Sequence, residues 1–368
     1  MKNTLRSLGL IFVCLIFSSC KMGRFVYYNF ANITDHKIFP YRTANRDSTN
    51  TFKFEQSAKP KYPRKFTYAD STEITFEQYL EKNNTVAFII IKNDSIQYEK
   101  YFDGYDEASV VASFSMAKSV TSMLIGCAIQ DGYIKYIDEP ITNYIPEFKN
   151  EELSKVTIEN LLQMTSGIKF NESYVNPFGD AATYYYGTNL RKAIYKRKLA
   201  NEPGTNFSYS SGDTQILGLV LERALKGKSI TAYLEEKIWK PLGMEYDATW
   251  SLDRKKDGLE KTFCCLNAHA RDFAKLGRLY LNKGNWNGVQ VVPQNWVEAS
   301  TTADITNGGV EYYKYQWWLE KDGSYNAAGI LGQFIYVNPA KDLIIVRLGK
   351  DEGNANWEYM FSILAKSY

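Results

Sequence analysis

Histidine is almost missing from this chain: His36 and His269 are the only two among 368 residues. No Gly-x-Ser-x-Gly elbow occurs either, so the sequence argues against a Ser-His-Asp hydrolase. Two histidines without a matching carboxylate pattern leave a catalytic metal short of ligands, and no metal or other cofactor is expected. Cysteine is scarce too, with five residues. Cys14 and Cys20 fall in the first twenty positions, Cys127 lies in an apolar stretch, and the adjacent Cys264 and Cys265 lack the spaced partners of a zinc site. No disulfide framework is visible. An excess of either charge is also lacking. The formal net charge is +3, and removing Lys2 and Arg6 with residues 1–19 lowers it to about +1. That balance gives no support for nucleic acid or an anionic surface as partner. Gly227-Lys228-Ser229 mimics the end of a phosphate-binding loop, but Glu222 stands where its first glycine belongs. No internal repeat or low-complexity tract occurs.

What is present is the composition of a folded globule, 45% hydrophobic and 23% charged, long enough for one large domain or two intertwined lobes. Aromatic residues reach 15%, led by 28 tyrosines, a hint of aromatic-lined clefts. The apolar run Leu8–Phe17 is far short of the ~20 residues of a membrane span, and it follows Lys2 and Arg6 as the core of a signal peptide does. Phe17-Ser18-Ser19-Cys20 comes next and resembles a bacterial lipobox. The expectation is a lipoprotein signal over 1–19 and a lipid anchor at Cys20. The protein would then be exported and held in the cell envelope, periplasmic or outer-membrane attached. A plain secretory signal is the alternative.

Residues 20–65 show scattered aromatics and little periodicity, which predicts an extended arm, partly packed on a body spanning 66–368. Thr85–Ile91 and Ile96–Phe102 flank Lys92-Asn93-Asp94-Ser95 as a hairpin, and Gly332–Val337 pairs with Leu343–Leu348 in a second. Helical patterns occupy the middle, at Thr157–Met164, Gly212–Leu225, Ile230–Trp239 and Ala270–Leu281, and Trp357–Lys366 closes the chain. Strands at both ends and helices between them predict an α+β fold: an antiparallel sheet flanked by helices, with a helical lobe inserted at about 131–250.

Three Ser-x-x-Lys patterns occur, at Ser18–Lys21, Ser115–Lys118 and Ser166–Lys169. On a helix this spacing puts both side chains on one face, about 5–6 Å apart at Cβ. The first belongs to the signal segment, and the third sits in the Thr165-Ser166-Gly167 stop. Only Ser115 opens a long apolar helix, running to about Gln130, where the positive helix end favours developing negative charge. Serine needs an adjacent base or positive neighbour to act as nucleophile, and Lys118 is within reach. A second signal is Phe207-Ser208-Tyr209-Ser210-Ser211-Gly212. Ser211 could simply cap the following helix, yet Tyr209 beside Lys118 could also take the Ser115 proton and later return one to a leaving group. The third is Ala327-Ala328-Gly329-Ile330-Leu331-Gly332-Gln333, where glycines on a strand edge let a substrate approach backbone N–H groups.

In this order the three motifs resemble the serine β-lactamase and penicillin-binding-protein superfamily, on its class C and esterase side. Leu161–Ile168, Pro241-Leu242-Gly243-Met244 and Leu266–Phe273 extend the likeness from about Phe66 to the C-terminus. Tyr209-Ser210-Ser211, Gln316-Trp317-Trp318 and the stretch Gly329–Gln333 are similar to the 6-aminohexanoate-dimer (nylon-oligomer) hydrolase branch. That resemblance implies Ser115 as the acylated nucleophile, Lys118 and Tyr209 as proton-transfer groups, and the N–H groups of Ser115 and Ile330 as oxyanion hole. It also implies Tyr174 as a residue that contacts substrate; Ser211, Trp317, Trp318 and Gly329 are further substrate-binding candidates, and Tyr174, Tyr184, Tyr185, Trp317 and Trp318 are candidate cleft walls, with core or surface packing as the alternative for each. β-Lactamases and transpeptidases usually carry Tyr-x-Asn and Lys-Thr-Gly; Ser211 and Ala327-Ala328-Gly329 stand there instead. Two alanines offer neither charge nor hydroxyl to a substrate carboxylate. The expectation is therefore a serine hydrolase for small esters or linear amides, acting through an acyl-enzyme. A β-lactamase or D,D-peptidase, and a non-catalytic envelope binding protein on the same scaffold, are the alternatives. The oligomeric state is not legible.

Overall fold

A computed structural model of the protein describes residues 21–28, 30–67, 73–148 and 151–368. The expected signal over 1–19 and the lipid site Cys20 lie outside the described residues. The body is built on an eight-stranded sheet in the order Tyr313–Lys314, Trp317–Leu319, Tyr325–Gly329, Gln333–Asn338, Leu343–Gly349, Thr85–Lys92, Ser95–Tyr101 and Glu55–Gln56. Every neighbouring pair is antiparallel except the last, where Glu55–Gln56 runs parallel to Ser95–Tyr101. The two expected hairpins are its centre, and the C-terminal strand Leu343–Gly349 joins them by pairing with Thr85–Lys92. These strands are β-branched runs buried on both faces, as a central position requires.

Side chains alternate between the two faces. Phe88, Ile90, Phe334, Tyr336 and Ile345 point toward the helices Phe76–Lys82 and Trp357–Lys366. Ile89, Ile91, Ile335, Val337, Ile344 and Val346 point into the larger core, under the helices Met116–Gln130 and Ala270–Leu281. The inserted lobe, with Asp180–Tyr186 and Ser211–Ala224, continues that larger core away from the sheet.

The segment 20–65 departs from the expected extended arm. Lys21–Tyr28 is a helix that rests on Asp180–Tyr186, with Phe25 edge-on to Tyr186. Tyr41–Ala44 is a strand that pairs antiparallel with Ala248–Ser251 and completes a four-stranded sheet with Leu266–Ala268 and Val111–Ala112. Ile33, Phe39, Ala44 and Phe54 are buried. The apolar residues are too far apart to show a period, yet each meets a partner distant in sequence. Cys264 and Cys265 form a disulfide with each other, contrary to the reading that none was present. Adjacent cysteines leave no spacing signal to read.

Candidate active site

Ser115 stands at the mouth of the helix Met116–Gln130, directly after a strained turn. Phe114 has φ +44°, a region that bulky residues rarely occupy and keep only where the surroundings hold them. Here the hold is visible. The N–H of Ser113 donates to the carbonyl of Leu266 at 2.9 Å, and the N–H of Ala117 to the carbonyl of Phe114 at 3.0 Å. The turn leaves Ser115 partly exposed while Phe114, Met116 and Lys118 are buried.

The Lys118 ammonium has three donors and uses them all. It donates to Ser115 Oγ at 2.8 Å, to Ser211 Oγ at 3.1 Å and to the carbonyl of Phe263 at 2.9 Å. Its Nζ also lies 5.0 Å from the ring centroid of Tyr209. Tyr209 is itself held by stacking on Trp318, with centroids 5.6 Å apart. Ser211 does not cap its helix. Ser210 does, accepting from the N–H of Asp213 at 3.2 Å, which leaves the Ser211 hydroxyl free to meet Lys118. Asp213, fully buried beneath this turn, accepts from Ser166 Oγ at 2.9 Å. Burial pushes its carboxyl up to about 8, with the Ser166 hydrogen bond opposing.

Gly329 ends its strand against the Ser115 turn. A Cβ there would fall 2.5 Å from the Ser113 carbonyl oxygen and 3.0 Å from the Ser115 nitrogen, so only glycine fits. The following turn carries Ile330. It is pinned by Arg347, which donates to the carbonyl of Gly332 at 2.7 Å, and by Gln333, which donates to that of Leu331 at 3.0 Å. Ser115 and Ile330 share one cleft of about 300 Å³, and Phe30, Ala31, Phe114, Tyr174, Ala181, Ala182, Tyr185, Tyr186, Ser211, Phe263, Cys264 and Leu331 line the rest of it. The wall is overwhelmingly apolar.

The other expected residues divide. Tyr174 and Tyr185 line the cleft, the first donating to Glu172 Oε1 at 2.6 Å and the second to Asp35 Oδ2 at 2.8 Å. Trp317 does not: it is fully buried and stacks on Tyr280 at 4.2 Å, because neighbouring strand residues face opposite sides and Trp318 takes the Tyr209 side. Tyr184 is likewise core, its ring packed on Phe170 and Phe263. Three contributors went unread. Glu172 accepts from Ser211 Oγ at 2.5 Å and from its N–H at 2.7 Å. The Phe263 carbonyl holds Lys118, and Phe30 closes the cleft from the N-terminal segment. A backbone carbonyl has no sequence signature; Glu172 stood two residues before Tyr174, and that proximity was its one available signal. Among the described residues no group of His, Cys, Asp and Glu side chains could hold a metal ion.

A family model described as "Beta-lactamase" matches residues 74–363. The chain belongs to the β-lactamase family. It is 28% identical over 305 residues to the 6-aminohexanoate-dimer hydrolase of Paenarthrobacter ureafaciens, covering 76% of this chain and 77% of that protein. A Bacillus anthracis structure provisionally described as a 6-aminohexanoate-dimer hydrolase superposes with TM-score 0.80 at 25% identity, over 91% of this chain and 92% of that one. A family VIII carboxylesterase shares the fold, with TM-score 0.63 at 17% identity over 79% of this chain and 95% of that one. The protein is thus a serine hydrolase of the β-lactamase fold, with the expected α+β architecture.

Proposed function

We propose that this hydrolase cleaves small esters or unstrained linear amides through an acyl-enzyme on Ser115. The hydrogen bond between Lys118 Nζ and Ser115 Oγ, at 2.8 Å on the floor of the cleft, carries the reading. In the proposed cycle Ser115 Oγ attacks the carbonyl carbon as its proton passes to Tyr209, which acts in its deprotonated form beside the Lys118 ammonium. The N–H groups of Ser115 and Ile330 receive the developing oxyanion. Collapse expels the alcohol or amine, protonated by the same pair, and water then releases the acid. Similarity to the 6-aminohexanoate-dimer hydrolase supports an amide among the substrates, and the fold of a carboxylesterase fits an ester.

β-Lactams are disfavoured on two grounds. Ala327 and Ala328 supply no charge for a substrate carboxylate, and the Glu172 carboxyl group lies against Ser211. Cys20 is the proposed lipid anchor, on the strength of Leu8–Phe17 and Phe17-Ser18-Ser19-Cys20, and the cell envelope is the proposed location. The decisive experiment is p-nitrophenyl ester hydrolysis by Ser115→Ala together with mass detection of a fluorophosphonate adduct. Loss of turnover and of the adduct on a folded protein is expected; retained turnover overturns the assignment.

A further inference from the structure

We propose that the mouth of this cleft docks on a lipid bilayer and draws membrane-partitioned esters with apolar acyl chains to Ser115. The inference deepens the hydrolase reading and rests on it and on the Cys20 anchor.

Two observations carry it. The first is an exposed apolar rim. Tyr27, Phe30, Tyr174, Val175 and Phe178 are between 43% and 77% exposed, five of the eleven exposed large hydrophobic residues among the described ones. They form one neighbourhood. Phe30 and Tyr174 both line the cleft, Val175 and Phe178 lie on the loop joining Tyr174 to the cleft residues Ala181 and Ala182, and the helix Lys21–Tyr28 packs on Asp180–Tyr186. The second is where the chain enters. Cys20 immediately precedes Lys21, the first residue of that helix, so a lipid there would join the chain directly at the helix that carries Tyr27. An extended arm would have let the body drift from the membrane; the helix, packed on the cleft wall, does not.

A bilayer suits this rim better than a protein partner does. Tyrosines and phenylalanines with one face wet and one apolar favour the headgroup boundary, and the anchor supplies the second attachment that stable membrane binding needs. The cleft continues the same chemistry inward, with Phe114, Ala181, Ala182, Phe263 and Leu331 as its wall. An aliphatic acyl chain leaving the bilayer would pass from apolar rim to apolar wall without meeting water, its ester carbonyl arriving at Ser115.

The test uses the full chain reconstituted in phosphatidylcholine vesicles, with water-soluble p-nitrophenyl acetate and vesicle-dissolved p-nitrophenyl decanoate as substrates. The variant Tyr27→Ser, Val175→Ser, Phe178→Ser alters the rim and none of the cleft lining. Acetate turnover should stay within about twofold while decanoate turnover falls roughly tenfold, as the anchored chain loses its rim contact with the bilayer. Unchanged decanoate turnover would overturn the docking surface and leave the hydrolase reading standing. Failure of the unaltered chain on acetate would overturn the hydrolase reading instead. Should the triple variant lose both activities together, Phe178→Ser alone decides by the same ratio: a selective fall on decanoate supports docking, and an equal ratio overturns it.

Discussion

Toward the helices Phe76–Lys82 and Trp357–Lys366 the eight-stranded sheet presents a small core of Phe88, Ile90, Phe334, Ile345 and Phe361, ring against ring. Toward the helices Met116–Gln130 and Ala270–Leu281 it supports a core that also buries Lys118, Asp213, Lys261, Asp272 and Lys275. Burying a charge is costly unless it is paired. On this side each lysine is held, Lys275 by Asp272 at 3.1 Å and Lys261 by the carbonyls of Tyr184 and Tyr185 at 3.0 and 2.6 Å. One face is therefore a packing device, and the other carries polar groups at positions where apolar ones would pack more cheaply. The proposed chemistry lies on the second face. The buried cation of the first face, Arg347, also serves the site, since it pins the turn that bears Ile330.

The widest separation between the faces should come from paired substitutions. Ser115→Ala is expected to lower kcat by about 10⁴-fold or more, and Lys118→Ala nearly as much, because the residues act as a unit. Ser115→Ala should leave the urea midpoint nearly unchanged, because that residue is partly exposed. On the other face, Phe361→Ala removes a fully buried ring and should cost about 3–5 kcal/mol of stability. The kcat of its folded fraction should match the parent. A loss of kcat in Phe361→Ala beyond the unfolded fraction would break the division of labour.

Gly329→Val tests the boundary where the sheet meets the site. Its Cβ would fall 2.5 Å from the Ser113 carbonyl oxygen, so the strand must retreat from the Ser115 turn. Moving one wall of the proposed oxyanion site should cost about 10²–10³-fold in kcat, read by ester hydrolysis, with KM changing less. An unchanged kcat would show that the strand can shift without disturbing Ile330.

The same contrast explains what was legible beforehand. The helices Met116–Gln130, Ala270–Leu281 and Trp357–Lys366 and both hairpins follow from local periodicity, and the structure has them within a residue or two of expectation. Ser115, Lys118 and Tyr209 were singled out by helix start, spacing and residue type, and they meet at one place. What stayed hidden depends on distant pairing. Tyr41–Ala44 has no pattern of its own and becomes a strand because Ala248–Ser251 offers it an edge. Trp317 and Trp318 are adjacent, and only the pairing of Trp317–Leu319 with its neighbours decides which ring meets Tyr209. The Phe263 carbonyl, the third holder of Lys118, could not be read from any side chain.

The smallest effect should appear as a slope. Asp213 lies under the site, and burial lifts its carboxyl from the ordinary 3.8 to about 8. Between those values the folded chain keeps a proton that the unfolded chain has lost, so folding stability falls as pH rises through this window. One proton sets a limit of about 1.4 kcal/mol per pH unit. Below the unfolded value the contribution is fully present; above about 8 it is gone. Asp213→Asn carries no such proton, so its urea midpoint should fall less than the parent's between pH 5 and pH 7.5, roughly by that one-proton slope. Parallel slopes would mean that Asp213 is ionised in the folded protein. In that case the charge would have to be met by hydrogen bonds beyond Ser166, unlike that of Asp272 on the same face, which Lys275 pairs.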